Sequence, residues 1–235
     1  MLLAYLEDID MLTALFLPLH LCSEQILLKR QAYAHIPRTV FSAPVLSSAE
    51  GKAMEGWFLA GSHPQDYERG IDTTTPYHGK NSGYIKCIVE EPEGFGTLVQ
   101  MFKAAAYRNK RMRFAAAVKS KGVEIWAGGA GLWMRFDGPE DGKALGFDNM
   151  MNRRIQGTTD WQRYEVVLDV PQESVYVAFG IMLCGRGQAW LSDVRFEEVG
   201  TDVLVTSPRG EYPTDVRVTS FRDVPDQPGN LDFVQ

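Results

Sequence analysis

From Trp57 to about Val199 the chain is written in short segments that alternate apolar and polar residues, cut apart by clusters of Gly, Pro, Asn and Asp. A period of two is the signature of a strand, because successive side chains point to opposite faces. A helix needs apolar positions three and four apart, and no such pattern of useful length interrupts the run. The segments are 57–60, 83–90, 97–103, 111–119, 131–137, 163–170, 174–183 and 189–198. Strands at this spacing predict a mainly β fold, a sandwich or barrel, and no internal repeat accompanies them.

The stretch Gly131-Leu-Trp-Met-Arg-Phe-Asp-Gly138 shows the logic. Leu132, Met134 and Phe136 share one face, which suits a core. Trp133, Arg135 and Asp137 share the other. A Trp beside an Arg and an Asp on an outer face suits a binding surface, and equally suits a Trp covering a sheet edge beside an ion pair.

The flanks read differently. In residues 1–46, Leu2, Tyr5, Leu6, Ile9, Leu12, Leu15 and Phe16 recur at helical spacing, with Glu7, Asp8 and Asp10 opposite. Pro18 ends or kinks that helix, and a second short one fits from Ser23 to Tyr33. The apolar stripe docks on the main domain, or pairs two copies through residues 1–17. Residues 200–235 carry few apolar runs and read as an extended tail, anchored by Leu231 and Phe233. The expected organisation is a helical extension over 1–46, a sandwich over 47–199 and a packed tail over 200–235.

Charge and cysteines narrow the classes. The formal net charge of −6 argues against non-specific nucleic-acid binding. The basic groups Arg108, Lys110, Arg111 and Arg113, and Arg153 with Arg154, read as solvated strand edges. Cys22, Cys87 and Cys184 lie far apart with no Cys-x-x-Cys, which is neither a zinc pattern nor a disulfide framework. No Lys or Arg precedes Lys29, and Glu7, Asp8 and Asp10 lie inside the stretch, so the Leu-rich start is a poor leader. The apolar run from Met11 stops at His20, short of the ~20 residues a membrane span needs. The expected location is the cytoplasm, away from membranes.

For chemistry, Ala115, Ala117, Ala178 and Gly180 fall on outer faces and are small enough to floor a groove. The same small residues could instead receive residues 1–46. If Trp133 and Arg135 overlook that floor, a sugar ring stacks on the indole and the guanidinium holds its hydroxyls. Gln100, Asp148 and Asn149 are candidates for further polar contacts, and Tyr67 completes the set of ligand-binding residues. The loop Gly61-Ser-His-Pro-Gln-Asp-Tyr-Glu-Arg-Gly70 concentrates His63, Asp66, Tyr67 and Glu68. Such a loop can act as a general base, but no nucleophile follows at a diagnostic spacing. No cofactor is expected. A structural calcium ion could sit at Asp193 with Glu50 or Glu55.

Several motifs together resemble a known family. Gly56-Trp-Phe-Leu-Ala-Gly-Ser62, Tyr107-Arg-Asn-Lys-Arg-Met-Arg-Phe114, Gly131-Leu-Trp-Met-Arg135, Phe147-Asp-Asn-Met150 and Gly157-Thr-Thr-Asp-Trp161 resemble a bacterial carbohydrate-binding-module-like domain. The resemblance covers roughly 55–235 and implies a galactose-binding-like, two-sheet antiparallel jelly-roll sandwich. Similar domains are attached to AraC-type transcriptional regulators and to erythromycin-esterase-like or peptidase chains. The ending Pro225-Asp-Gln-Pro-Gly-Asn-Leu-Asp-Phe233 resembles the regulator-associated versions. Residues 1–46 do not match what the resemblance implies upstream. The leading expectation is a non-catalytic module that binds a glycan or small polyhydroxylated ligand, in a ligand-sensing role. The alternatives are a hydrolase working on the outer sheet face and an oligomeric interaction protein using the N-terminal helices.

Overall fold

The structure is a computed structural model and describes residues 54–124, 127–139, 144–207 and 224–234. The helices expected within 1–46 lie outside the described residues. The strands are β1 Phe58–Gly61, β2 Tyr67–Tyr77, β3 Lys80–Cys87, β4 Phe95–Lys103, β5 Arg111–Val123, β6 Gly129–Asp137, β7 Ala144–Asp148, β8 Gly157–Asp169, β9 Tyr176–Cys184 and β10 Gln188–Val199. They form two five-stranded sheets, ordered β1-β4-β9-β6-β7 and β2-β3-β10-β5-β8. All pairings are antiparallel. This is the expected two-sheet sandwich. Among the described residues no helix is long and apolar enough to cross a membrane.

Three strands differ from their expected extents. β2 occupies a stretch without apolar alternation, because it is an edge strand whose Thr73 and Thr74 face solvent. The short β7 pairs only with β6, also at an edge. β8 begins at Gly157, since the polar segment Thr158–Gln162 extends the edge strand beyond the apolar core.

The core is built from the faces that alternation assigns. Leu98 and Phe102 of β4, Leu132, Met134 and Phe136 of β6, and Val177, Phe179, Ile181 and Leu183 of β9 point inward from the first sheet. Met112, Phe114, Ala116 and Val118 of β5 meet them from the second. Phe179 stacks on Phe114 with centroids 4.4 Å apart and on Phe196 at 5.3 Å, which locks the sheets together. Fully burying each such side chain contributes about 1.5–3 kcal/mol.

The described end of the tail closes one side of the sandwich. Phe233 is fully buried and lies 5.1 Å from Trp57, while Leu231 packs at the margin of the core. The amide of Gln100 donates to the Gly229 carbonyl (2.5 Å) and accepts from the Gly229 N–H (3.1 Å). The Lys103 N–H donates to Pro225 O, Trp57 Nε1 to Asn230 O, and Asn81 Nδ2 to Phe233 O. The tail thus satisfies backbone groups along its length, as a buried segment must.

Candidate functional site

The outer face of the first sheet carries the residues that the sequence singled out. Register aligns Phe58, Val99, Gly180 and Trp133 in one row, and Met101, Ala178, Arg135 and Phe147 in the next. Trp133 and Arg135 therefore do share a face with Ala178 and Gly180. They do not face solvent. Trp133 and Arg135 are each only 4% exposed. The expectation of an open groove is corrected here. The row neighbours are Phe58, Val99, Met101 and Phe147, and with Trp133 and Met182 they form a second apolar cluster.

Small residues on this face have a different use. Trp133 Nε1 donates to Thr97 Oγ1 (2.7 Å), and Thr97 lies on β4, with β9 in between. The indole must therefore pass over β9, and Gly180 beside it carries no side chain. A Cβ at 180 would also collide with the Leu98 carbonyl. Ala115 and Ala117 belong to the other sheet and take no part.

Arg135 holds Asp137 side by side, Nε to Oδ1 at 3.0 Å and Nη2 to Oδ2 at 3.3 Å, with both side chains 4% exposed or less. Burial pushes the Asp137 carboxyl up, and the adjacent guanidinium opposes that rise only in part. The guanidinium proposed to grip a ligand is thus engaged within its own strand.

The other four residues are placed apart. Gln100 points to the inner side, level with Leu98 and Phe102, and its amide holds the tail. Asp148 is a buried hub that accepts from the Met150 N–H, from Arg153 and from Thr206. Burial raises its carboxyl, but those donors outweigh it and the net shift is downward. Asn149 accepts from the Met151 N–H. Tyr67 is 3% exposed in the main core, its hydroxyl bonded to the Gly185 N–H (3.2 Å). The structure does not bring the six together as one ligand surface.

The loop around His63 is a short 3-10 turn, Pro64–Asp66, leading into β2. His63 Nδ1 lies 3.3 Å from Ser62 Oγ and Nε2 lies 3.3 Å from Glu93 Oε2. Glu68 instead pairs with Lys86 at 2.8 Å.

Asp193 does not suit calcium. Its carboxylate is ringed by Lys80 (2.7 Å), Arg163 (2.5 Å) and Arg195 (3.0 Å). Three cations occupy the lone pairs that a metal would need. Glu55 is exposed, Glu50 lies outside the described residues, and among the described residues no cluster of metal-binding side chains occurs.

One surface feature escaped the sequence reading. On the outer face of the second sheet, a concavity is lined by Glu68, Asp72, Tyr84, Lys86 and Gln188. Its residues lie on three strands, and only the register of β2, β3 and β10 brings them together. Alternation in Lys80–Cys87 was the available signal, since it places Tyr84 and Lys86 on one face.

These features define the class: an antiparallel two-sheet β-sandwich closed by its own C-terminal segment. No protein-family model matches the chain. It is 45% identical over 183 residues to the uncharacterized helix-turn-helix-type transcriptional regulator YbfP of Bacillus subtilis (strain 168). That match covers 77% of this chain, which spans 57% of the regulator's length. Among solved structures it is similar to the CBM22-1 xylan-binding domain of Paenibacillus barcinonensis Xyn10C, at 12% identity and a TM-score of 0.43, over 62% of this chain and 87% of that one. It is also similar to a family 16 carbohydrate-binding module, at 13% identity and a TM-score of 0.45, over 66% of this chain and all of that one.

Proposed function

We propose that this chain is the ligand-sensing part of a regulatory protein, a non-catalytic sandwich that binds a glycan or another small polyhydroxylated molecule. The observation that carries the reading is the 45% identity to a transcriptional regulator over 183 residues. The acidic balance of the chain, −6, supports a role in binding a ligand other than nucleic acid. The described residues form rigid paired strands, the kind of scaffold that holds binding side chains in place. A bacterial cytoplasmic location is part of the same proposal, and similarity to a regulator of Bacillus subtilis supports it.

The test is calorimetric titration of the full chain with neutral oligosaccharides, beside a turnover assay on ester and lactone substrates. Saturable binding without turnover supports a sensor. A hydrolase is the second reading, and the contacts of His63 with Ser62 and Glu93 favour it. Turnover abolished by His63→Ala would replace the sensor with the enzyme. Pairing of two copies through residues 1–17 is a third, separable proposal. Light scattering of wild type and an Ile9→Asp, Leu12→Asp variant decides it, a dimer that becomes a monomer being the supporting result.

A further inference from the structure

The second sheet carries a Trp placed much as Trp133 is placed on the first. Trp190 of β10 sends Nε1 over β3 to Asp72 of β2, at 2.8 Å. It is 7% exposed, so it is a floor and not a platform. Tyr84 is its neighbour in register on β3 and is half-buried. The Tyr84 ring lies over Gly70 of β2, where a Cβ would come within 2.7 Å of its Cε1 and hydroxyl oxygen. The phenol is thus laid along the sheet, at the rim of the concavity that also contains Glu68, Lys86 and Gln188.

The polar groups here sort into two kinds. Some are already engaged. Asp72 accepts from the Thr74 N–H and hydroxyl on Oδ1 and from Trp190 on Oδ2. Burial pushes that carboxyl up, but the donated hydrogen bonds prevail and hold it at about 2. The ammonium of Lys86 is bound to Glu68. Others are available. The Tyr84 hydroxyl and the Gln188 amide have no hydrogen-bond partner among the described residues.

We propose that this concavity is the ligand site, and that its ligand is a neutral, polyhydroxylated ring compound, a sugar unit stacked on Tyr84 with hydroxyls on Gln188 and the Tyr84 phenol. The proposal rests on the ligand-binding reading above. Neutrality follows from the charges. The one cation in the lining is neutralised by Glu68, and the remaining charge is the carboxylate of Asp72. An acidic sugar would meet that carboxylate with no free cation to offset it. A neutral ring loses nothing on this account, and it gains an aromatic face and uncommitted donors and acceptors.

The experiment titrates the full chain with xylo-, cello- and galacto-oligosaccharides and with galacturonic acid oligomers of equal length. Wild type should bind at least one neutral series and bind the acidic series more weakly. Tyr84→Ala should weaken binding about tenfold or more, as loss of an aromatic anchor does, and Tyr84→Phe should lose less because the ring remains. Gln188→Ala should weaken binding several-fold with an unchanged melting temperature. If Tyr84→Ala melts early, Tyr84→Phe and Gln188→Ala decide the matter. Binding that survives both Tyr84→Ala and Gln188→Ala but is lost in Trp133→Ala overturns this site and leaves the sensor reading standing. Tighter binding of the acidic series overturns the neutral ligand class. No binding by any series takes down the sensor reading and this site with it.

Discussion

At the scale of single residues, Asp193 shows how one side chain organises a surface. It sits at a break in the β10–β5 register with φ +47°, a left-handed conformation that costs free energy in a non-glycine residue. Burial pushes its carboxyl up, but hydrogen bonds from Lys80 and Arg163 prevail and hold it at about 2, against an ordinary 3.8. A carboxyl lowered in the fold stabilises above its unfolded value and loses that contribution as pH falls through the folded one. Asp193→Asn should therefore cost on the order of 1–2 kcal/mol near neutral pH. In urea melts the gap to wild type should close between about pH 4 and pH 2. A gap independent of pH would mean that charge is not the cause. The buried pair makes a second prediction at this scale. Asp137→Asn weakens a buried, charge-assisted contact with Arg135 and should cost about 1–3 kcal/mol. Chemical denaturation of this variant beside wild type checks it.

At the scale of elements, the tail behaves as an added layer of the core. Phe233 fills the space above Gly83, where a Cβ would collide with its ring. Lys80 ties Asp232 to the start of β3 at 3.0 Å, and Gln100 clamps Gly229 from β4. The tail therefore bridges strands of both sheets, β4 in one and β3 in the other. Phe233→Ala should destabilise by about 3–5 kcal/mol, since it opens a cavity beneath a fully buried ring. Gly83→Ala should also destabilise, through overpacking of the same ring, and pairing it with Phe233→Leu should cost less than the sum. Additive costs would show that the two positions do not share one space.

At the scale of the whole molecule, the sandwich should hold without the first 46 residues, because its two sheets share a core of their own. Far-ultraviolet circular dichroism of residues 47–235 should be dominated by β signal. A dominant helical signal would sink the fold.

Alternation alone was enough to assign the faces of β5, β6 and β9, because a period of two is local and each strand reports its own inside and outside. The tail anchors Leu231 and Phe233 were legible too, because they are apolar side chains in a segment with few others to bury. Two properties were not local. Whether an outer face meets water depends on what lies across it, so Trp133 read as a binding residue and is buried. Which outer faces adjoin depends on strand order, so Ala115 and Ala178 read as one floor and sit on opposite sheets. The concavity of Tyr84 and Gln188 was hidden for the same reason. A chain determines the pattern of each strand, and only the register between strands distant in sequence decides which patterns meet.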